Sequence, residues 1–124
     1  MHEVELANRI LEVLRRIAVD QCAQILEVDL RVGELNEPRS LKLWLRKLGG
    51  DEFRSTKFKI RVMPLTIKCE CGYSGPADLP NIHLPEPELG ISCPKCGGRE
   101  ISISSGRELE VIQVRLQKRD ENDG

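Results

Sequence analysis

An α+β fold interrupted by a small cysteine-rich insert is what this 124-residue sequence predicts. Three observations predict it. Two stretches space their apolar residues at the helical period, three alternate apolar and charged residues at the strand period, and one stretch between them does neither but carries paired cysteines. The expected architecture is a domain of two helices and a three-stranded sheet, residues 1–65 completed by a strand at 105–118. A zinc-ribbon-like domain is inserted at 66–104, and 119–124 form a charged, disordered tail.

The first helix is expected over residues 3–19, with Leu6, Ile10, Val13, Leu14 and Ile17 as the buried stripe and Glu5, Arg9, Glu12, Arg15 and Arg16 at the remaining positions. Cys22, at its end, reads as a small buried apolar residue. Residues 25–35 alternate strictly: Leu26, Val28, Leu30 and Val32 share one face, Glu27, Asp29 and Arg31 the other, and Gly33 breaks the strand or marks a bulge. A second helix is expected over 40–48, with Ser40 as N-cap, Leu41, Trp44, Leu45 and Leu48 as its core stripe, and Gly49-Gly50 as its stop. Residues 56–63 form a second strand, setting Phe58, Ile60 and Val62 against Lys57, Lys59 and Arg61, and Pro64 closes it. The third, 107–117, breaks its alternation at Val111-Ile112, as a bulge or a strand covered on both faces would.

Composition narrows the function. Lys and Arg total 19 against 20 Asp and Glu, a net charge of −1, without the basic surplus that marks nucleic-acid binders. Trp44, Phe53, Phe58 and Tyr73 are the whole aromatic complement, too few for a base-stacking surface. No segment approaches the ~20 apolar residues of a membrane span, and no signal peptide opens the chain, so a cytoplasmic protein with no membrane partner is expected.

In that compartment paired cysteines bind metal more often than they form disulfides. The insert holds five of the seven prolines and two pairs, Cys69-Glu70-Cys71-Gly72 and Cys93-Pro94-Lys95-Cys96-Gly97. The second is a metal knuckle: thiolates three apart in a tight turn point at one ion, and the glycine permits the turn. The first is one residue short, so the backbone must bend at Glu70 for both sulfurs to meet one tetrahedron. Cys69, Cys71, Cys93 and Cys96 thus predict structural Zn(II), all four positions filled and none open for water. His83 replacing one thiolate, a bridged dimer, or a disulfide are the alternatives.

The first residues, Met1-His2-Glu3, admit two readings. Any residue can follow a start methionine. Equally, a free terminal amine, the His2 backbone nitrogen and its imidazole can chelate one ion in fused rings, and such a nitrogen-rich square-planar set suits Ni(II) or Cu(II). The first N–H groups of a helix have no intrahelical acceptor, so surrendering them to a metal sacrifices no helical hydrogen bond.

The M-H-E start, "EVDLRVGELNE", the helix from Ser40 and "C-x-C-G…C-P-K-C-G" with a final strand together resemble the HypA family of nickel metallochaperones, over nearly the whole chain. The resemblance implies a nickel-binding α/β domain with an inserted structural zinc domain. It implies Ni(II) as transient cargo at His2, with the Met1 amine and Glu3 beside it, and Zn(II) on the four cysteines. It also implies no catalytic activity, a maturation GTPase as partner, and delivery to the large subunit of [NiFe]-hydrogenase, or to urease in some organisms. The chain would act as monomer or dimer. His83 is either a solvated loop histidine or a further nickel ligand. A zinc-ribbon nucleic-acid or transcription adaptor is the alternative that the four cysteines fit equally well.

Overall fold

A computed structural model of the chain describes residues 2–78 and 90–119, His2 by its backbone alone. Its elements in chain order are α1 (His2–Asp20), β1 (Ala23–Gly33), a 3-10 turn (Glu34–Asn36), α2 (Pro38–Gly49), a second 3-10 turn (Gly50–Phe53), β2 (Lys57–Met63), β3 (Thr66–Cys69), β4 (Ser74–Pro76), β5 (Ile101–Ser105) and β6 (Leu109–Lys118). They build two separate three-stranded sheets, ordered β2-β1-β6 and β4-β3-β5.

In the first sheet β1 pairs parallel with β2 and antiparallel with β6. Both helices cover one face, closing a core of Leu6, Ala7, Ile10, Leu11, Leu14, Ile25, Val28, Leu30, Val32, Leu41, Leu45, Phe53 and Phe58. The other face carries charge: Lys59 donates to Glu27 at 2.6 Å, and Arg115 approaches the same carboxylate at 3.5 Å. A two-residue turn after α1 sends β1 back along it, and α2 is the crossover between parallel strands. Both helices therefore begin at the end of the sheet where β1 and β2 finish. The chain leaves that same end for β3 and returns to it from β5.

Several local expectations are corrected. Val13 is half exposed, and Ala7 and Leu11 take its place in the core, because α2 and the sheet together cover a wider stripe than one row of side chains. Ile25, not Leu26, is buried on β1: the register with β6 slips between Ile25 and Glu27, and Leu26 is the extra residue. Val62, near the exit of edge strand β2, is 53% exposed. Cys22 is exposed at φ 48°, since the reversal after α1 requires a left-handed residue there and turns its thiol outward. Ser40 does not cap α2. The helix starts two residues earlier at Pro38, whose fixed φ suits a first helical position, with Glu37 before it at φ 48°. The stop at Gly49-Gly50 is where the sequence predicts it, with Gly50 at φ 58°. So is the irregularity in β6: Asp29 pairs with Gln113 and Leu30 with Val111, leaving Ile112 as the bulge.

The 104–109 and 63–66 connections lie side by side against the turn after β1. The Gly33 N–H donates to the Glu108 carbonyl at 2.7 Å and the Leu35 N–H to the Gly106 carbonyl at 2.9 Å. Glu34 Oε1 accepts from the Leu65 N–H at 2.8 Å, and Asn36 Nδ2 donates to the carbonyls of Arg107 and Glu108 at 3.1 and 3.0 Å. Leu35 reaches into a second buried cluster with Leu65, Ile67, Ile91 and Cys93, against which Tyr73, Ile101 and Ile103 pack. Leu35 and Leu65, both outside 66–104, complete this small core, so the thiols are not all that holds the cysteine-bearing stretch together. The charged tail falls on 120–124, outside the described residues. Arg119 before it donates its N–H to the Cys22 carbonyl at 2.8 Å.

Candidate metal centre

Two hairpin-like turns present the four paired cysteines to one point. Cys69 ends β3, and the chain turns over Glu70–Gly72 before β4, with the Gly72 N–H donating to the Cys69 carbonyl at 3.0 Å and the Cys69 N–H to the Tyr73 carbonyl at 2.8 Å. Gly72 holds φ 99°, a backbone that side chains strain to adopt, so the glycine after the short pair makes the bend possible. In the second turn the Gly97 N–H donates to the Cys93 carbonyl at 2.8 Å, Gly97 sits at φ 73°, and the Gly98 N–H donates to Cys96 Sγ at 3.3 Å.

The sulfurs of Cys69, Cys71, Cys93 and Cys96 all lie within 4.8 Å of one another. Cys69 and Cys96 are 3.6 Å apart and Cys71 and Cys93 3.7 Å. A disulfide would require ~2.05 Å. A tetrahedron of sulfurs ~2.3 Å from zinc has edges of about 3.8 Å. The set therefore fits Zn(II), with an acceptor-rich centre and a backbone N–H already aimed at one thiolate. Among the described residues no other group of three or more His, Cys, Asp or Glu donors gathers in this way.

The thiols do not titrate alike. At Cys69 the Cys71 backbone N–H favours the thiolate, but desolvation and the neighbouring Cys71, Cys96 and Cys93 sulfurs outweigh it and push the group up to about 12. At Cys93 desolvation opposes ionisation, yet the backbone N–H groups of Cys96 and Lys95, with the Cys71 and Cys96 thiols, bring it down to about 7. Four thiolates this close repel one another, and a divalent cation is what lets them ionise together.

For the expected nickel set, the described residues show less. The first helix begins at His2, one residue earlier than its periodicity suggests, and Glu3 is half-buried in its first turn. Met1 and His83 lie outside the described residues, as does the side chain of His2. Leu35 and Asn36 stand in the quoted V-G-E-L-N run, but nothing in a single sequence says that they reach the insert.

The family model described as "Hydrogenase/urease nickel incorporation, metallochaperone, hypA" matches residues 1–116. The chain belongs to the HypA family. A hydrogenase maturation factor HypA of Methanothermobacter thermautotrophicus is 32% identical over 97% of this chain and 100% of its own length. One of Methanopyrus kandleri is 34% identical over 94% of each. In fold, the solution structure of the Ni metallochaperone HypA from Helicobacter pylori superposes with a TM-score of 0.57 at 17% identity, over 96% of this chain and 100% of that one. Membership makes this chain a nickel-incorporation metallochaperone of hydrogenase maturation. The adaptor reading drew on the four thiols alone, whereas the HypA match spans both sheets. No helix among the described residues is long and apolar enough to cross a membrane.

Proposed function

We propose that this HypA-family chain takes up Ni(II) at its own N-terminus and, with a maturation GTPase, passes it to the large subunit of [NiFe]-hydrogenase, in the cytoplasm and without catalysis of its own. On this reading residues 1–65 with 105–118 form the nickel-carrying domain, and 66–104 form a zinc domain whose metal, on Cys69, Cys71, Cys93 and Cys96, is structural. The observation that carries it is the start of α1 at His2. The amides of His2 and Glu3 then belong to the first helical turn, where N–H groups have no intrahelical acceptor. They can be given up to a metal without unwinding the helix. The Met1 amine, the His2 amide and the His2 imidazole supply the nitrogen donors, and Glu3 supplies an amide or carboxylate beside them. The positive end of the helix dipole opposes a cation, and deprotonated amides with Glu3 and Glu5 offset it.

Nickel titration of the native protein beside a copy with one residue added ahead of Met1 tests the assignment. The extended copy loses the high-affinity site and keeps its zinc; equal affinity in both overturns it. Because the imidazole and amine ionise at about 6.5 and about 7.7–8.0 when unperturbed, binding releases protons and weakens as pH falls from 8 to 6.

A further inference from the structure

Leu35 connects two parts of the molecule that the metal-site geometry alone keeps apart. It belongs to the turn leading from β1 into α2, at the end of the first sheet where α1 also begins. Its side chain, 7% exposed, is buried with Leu65, Ile67, Ile91 and Cys93. Cys93 is a wall of that socket and a member of the four-sulfur cluster at once. The socket's floor is therefore fixed in part by whatever the sulfurs hold. Glu34 and Asn36, on either side of Leu35, bond the two chain segments that enter and leave the insert. Cys93 thus links the sulfur cluster to the buried cluster that holds Leu35, and Leu35 links that cluster to the turn between β1 and α2.

We propose that Glu34, Leu35 and Asn36 are positioning residues that hold the four-thiol module in place against the helix-start end of the first sheet, and that they do so only while the thiol cluster is closed on metal. With the cluster open, Cys93 no longer anchors the socket, Leu35 loses its wall, and both connecting segments are released together. The nickel reading gives this coupling its purpose, since the same end of the sheet bears the first turn of α1. The coupling itself involves no nickel and is testable without it.

The chain already carries three reporters, the N–H groups of Gly33, Leu35 and Leu65, which donate to Glu108, Gly106 and Glu34. Amide hydrogen exchange is followed on the full chain with zinc bound and after chelation, without added nickel. In the parent protein, removing zinc speeds these three amides by about tenfold or more, while the amides of Leu11 and Leu14 in α1 keep their protection. In Leu35→Ala, which retains all four thiols and still binds zinc, the three are fast already and chelation changes them less than about twofold. Should Leu35→Ala fold poorly, Glu34 supplies the second comparison. Glu34→Gln keeps an oxygen acceptor for the Leu65 N–H and behaves as the parent; Glu34→Ala removes it and exposes Leu65 even with zinc bound. Reporter amides that ignore zinc removal in the parent protein overturn the proposal. So does a Glu34→Ala protein that matches Glu34→Gln. A failure of nickel binding at the N-terminus would leave every one of these readings intact, and so the two proposals fail separately.

Discussion

Among the glycines 33, 49, 50, 72, 75, 97, 98 and 106, Gly33 has the least room for a side chain. A Cβ built there would stand 2.0 Å from the Gly106 carbonyl oxygen and 2.6 Å from the Arg107 nitrogen, all of it backbone that cannot swing aside. Its φ of −71° is open to any residue, so the demand is for space and not for conformation. Gly33→Ala must push the segment returning from β5 away from β1 and break the bond from the Gly33 N–H to Glu108. Overpacking of this kind costs about 1–3 kcal/mol or more. The urea midpoint should fall accordingly, with the slope unchanged. The sequence marks Gly33 as an interruption in an alternating run, yet its reason lies more than 70 positions away and leaves no local trace. Cys22 shows the same limit in reverse. Its type says buried, and the turn it must make puts it in solvent.

At the scale of elements, β1 is the strand on which both partners depend, and its solvent face is held by charge. Glu27, 14% exposed, sits between Lys59 on β2 and Arg115 on β6. The hydrogen bond from Lys59 holds its carboxyl below the usual range; partial desolvation works the other way, and the fields of Lys59, Arg115 and Lys57 add to the lowering. A carboxylate whose pKa is lowered by folding stabilises the fold fully above its unfolded value, about 4.3, and loses that contribution as pH falls through the folded value. The stability difference between the parent and Glu27→Gln should therefore be constant from pH 7 to about 5 and close as acid is added below about 4.3, as read by chemical denaturation. A gap that persists undiminished at the acid end would show that packing, not charge, made the difference. The strand periods and helix stripes were legible because each repeats within its own element. Ile112 was legible as well, since it breaks β6's own pattern. The bulge at Leu26 was not, because alternation runs unbroken through it and only the register with β6 shows the slip. Ser40 looked like a cap by type, while Pro38 two residues earlier set the start by geometry.

For the whole molecule, two hydrophobic clusters of unequal size imply unequal dependence on metal. The larger draws on α1, α2, β1, β2 and Phe53 of the second 3-10 turn and contains no cysteine; the smaller has five buried members, one of them Cys93. Chelating the zinc should leave the helical circular dichroism near its starting value while the β4-β3-β5 sheet loses its protection, because so small a cluster does not hold without a cross-link. Simultaneous loss of both signals would mean that the clusters share one cooperative unit. The gathering of the four thiols was readable from their spacing. Strand order was not, because nothing in an alternating run names its neighbour. That order has a further consequence, for the chain as it is made. The central strand β1 is synthesised early, but its antiparallel neighbour β6 comes last, after the entire insert. Until residues 109–118 have left the ribosome, β1 presents one open edge of unpaired amides and carbonyls, the surface on which chains join one another. The insert thus sets the length of time for which a nascent copy must be kept from its neighbours.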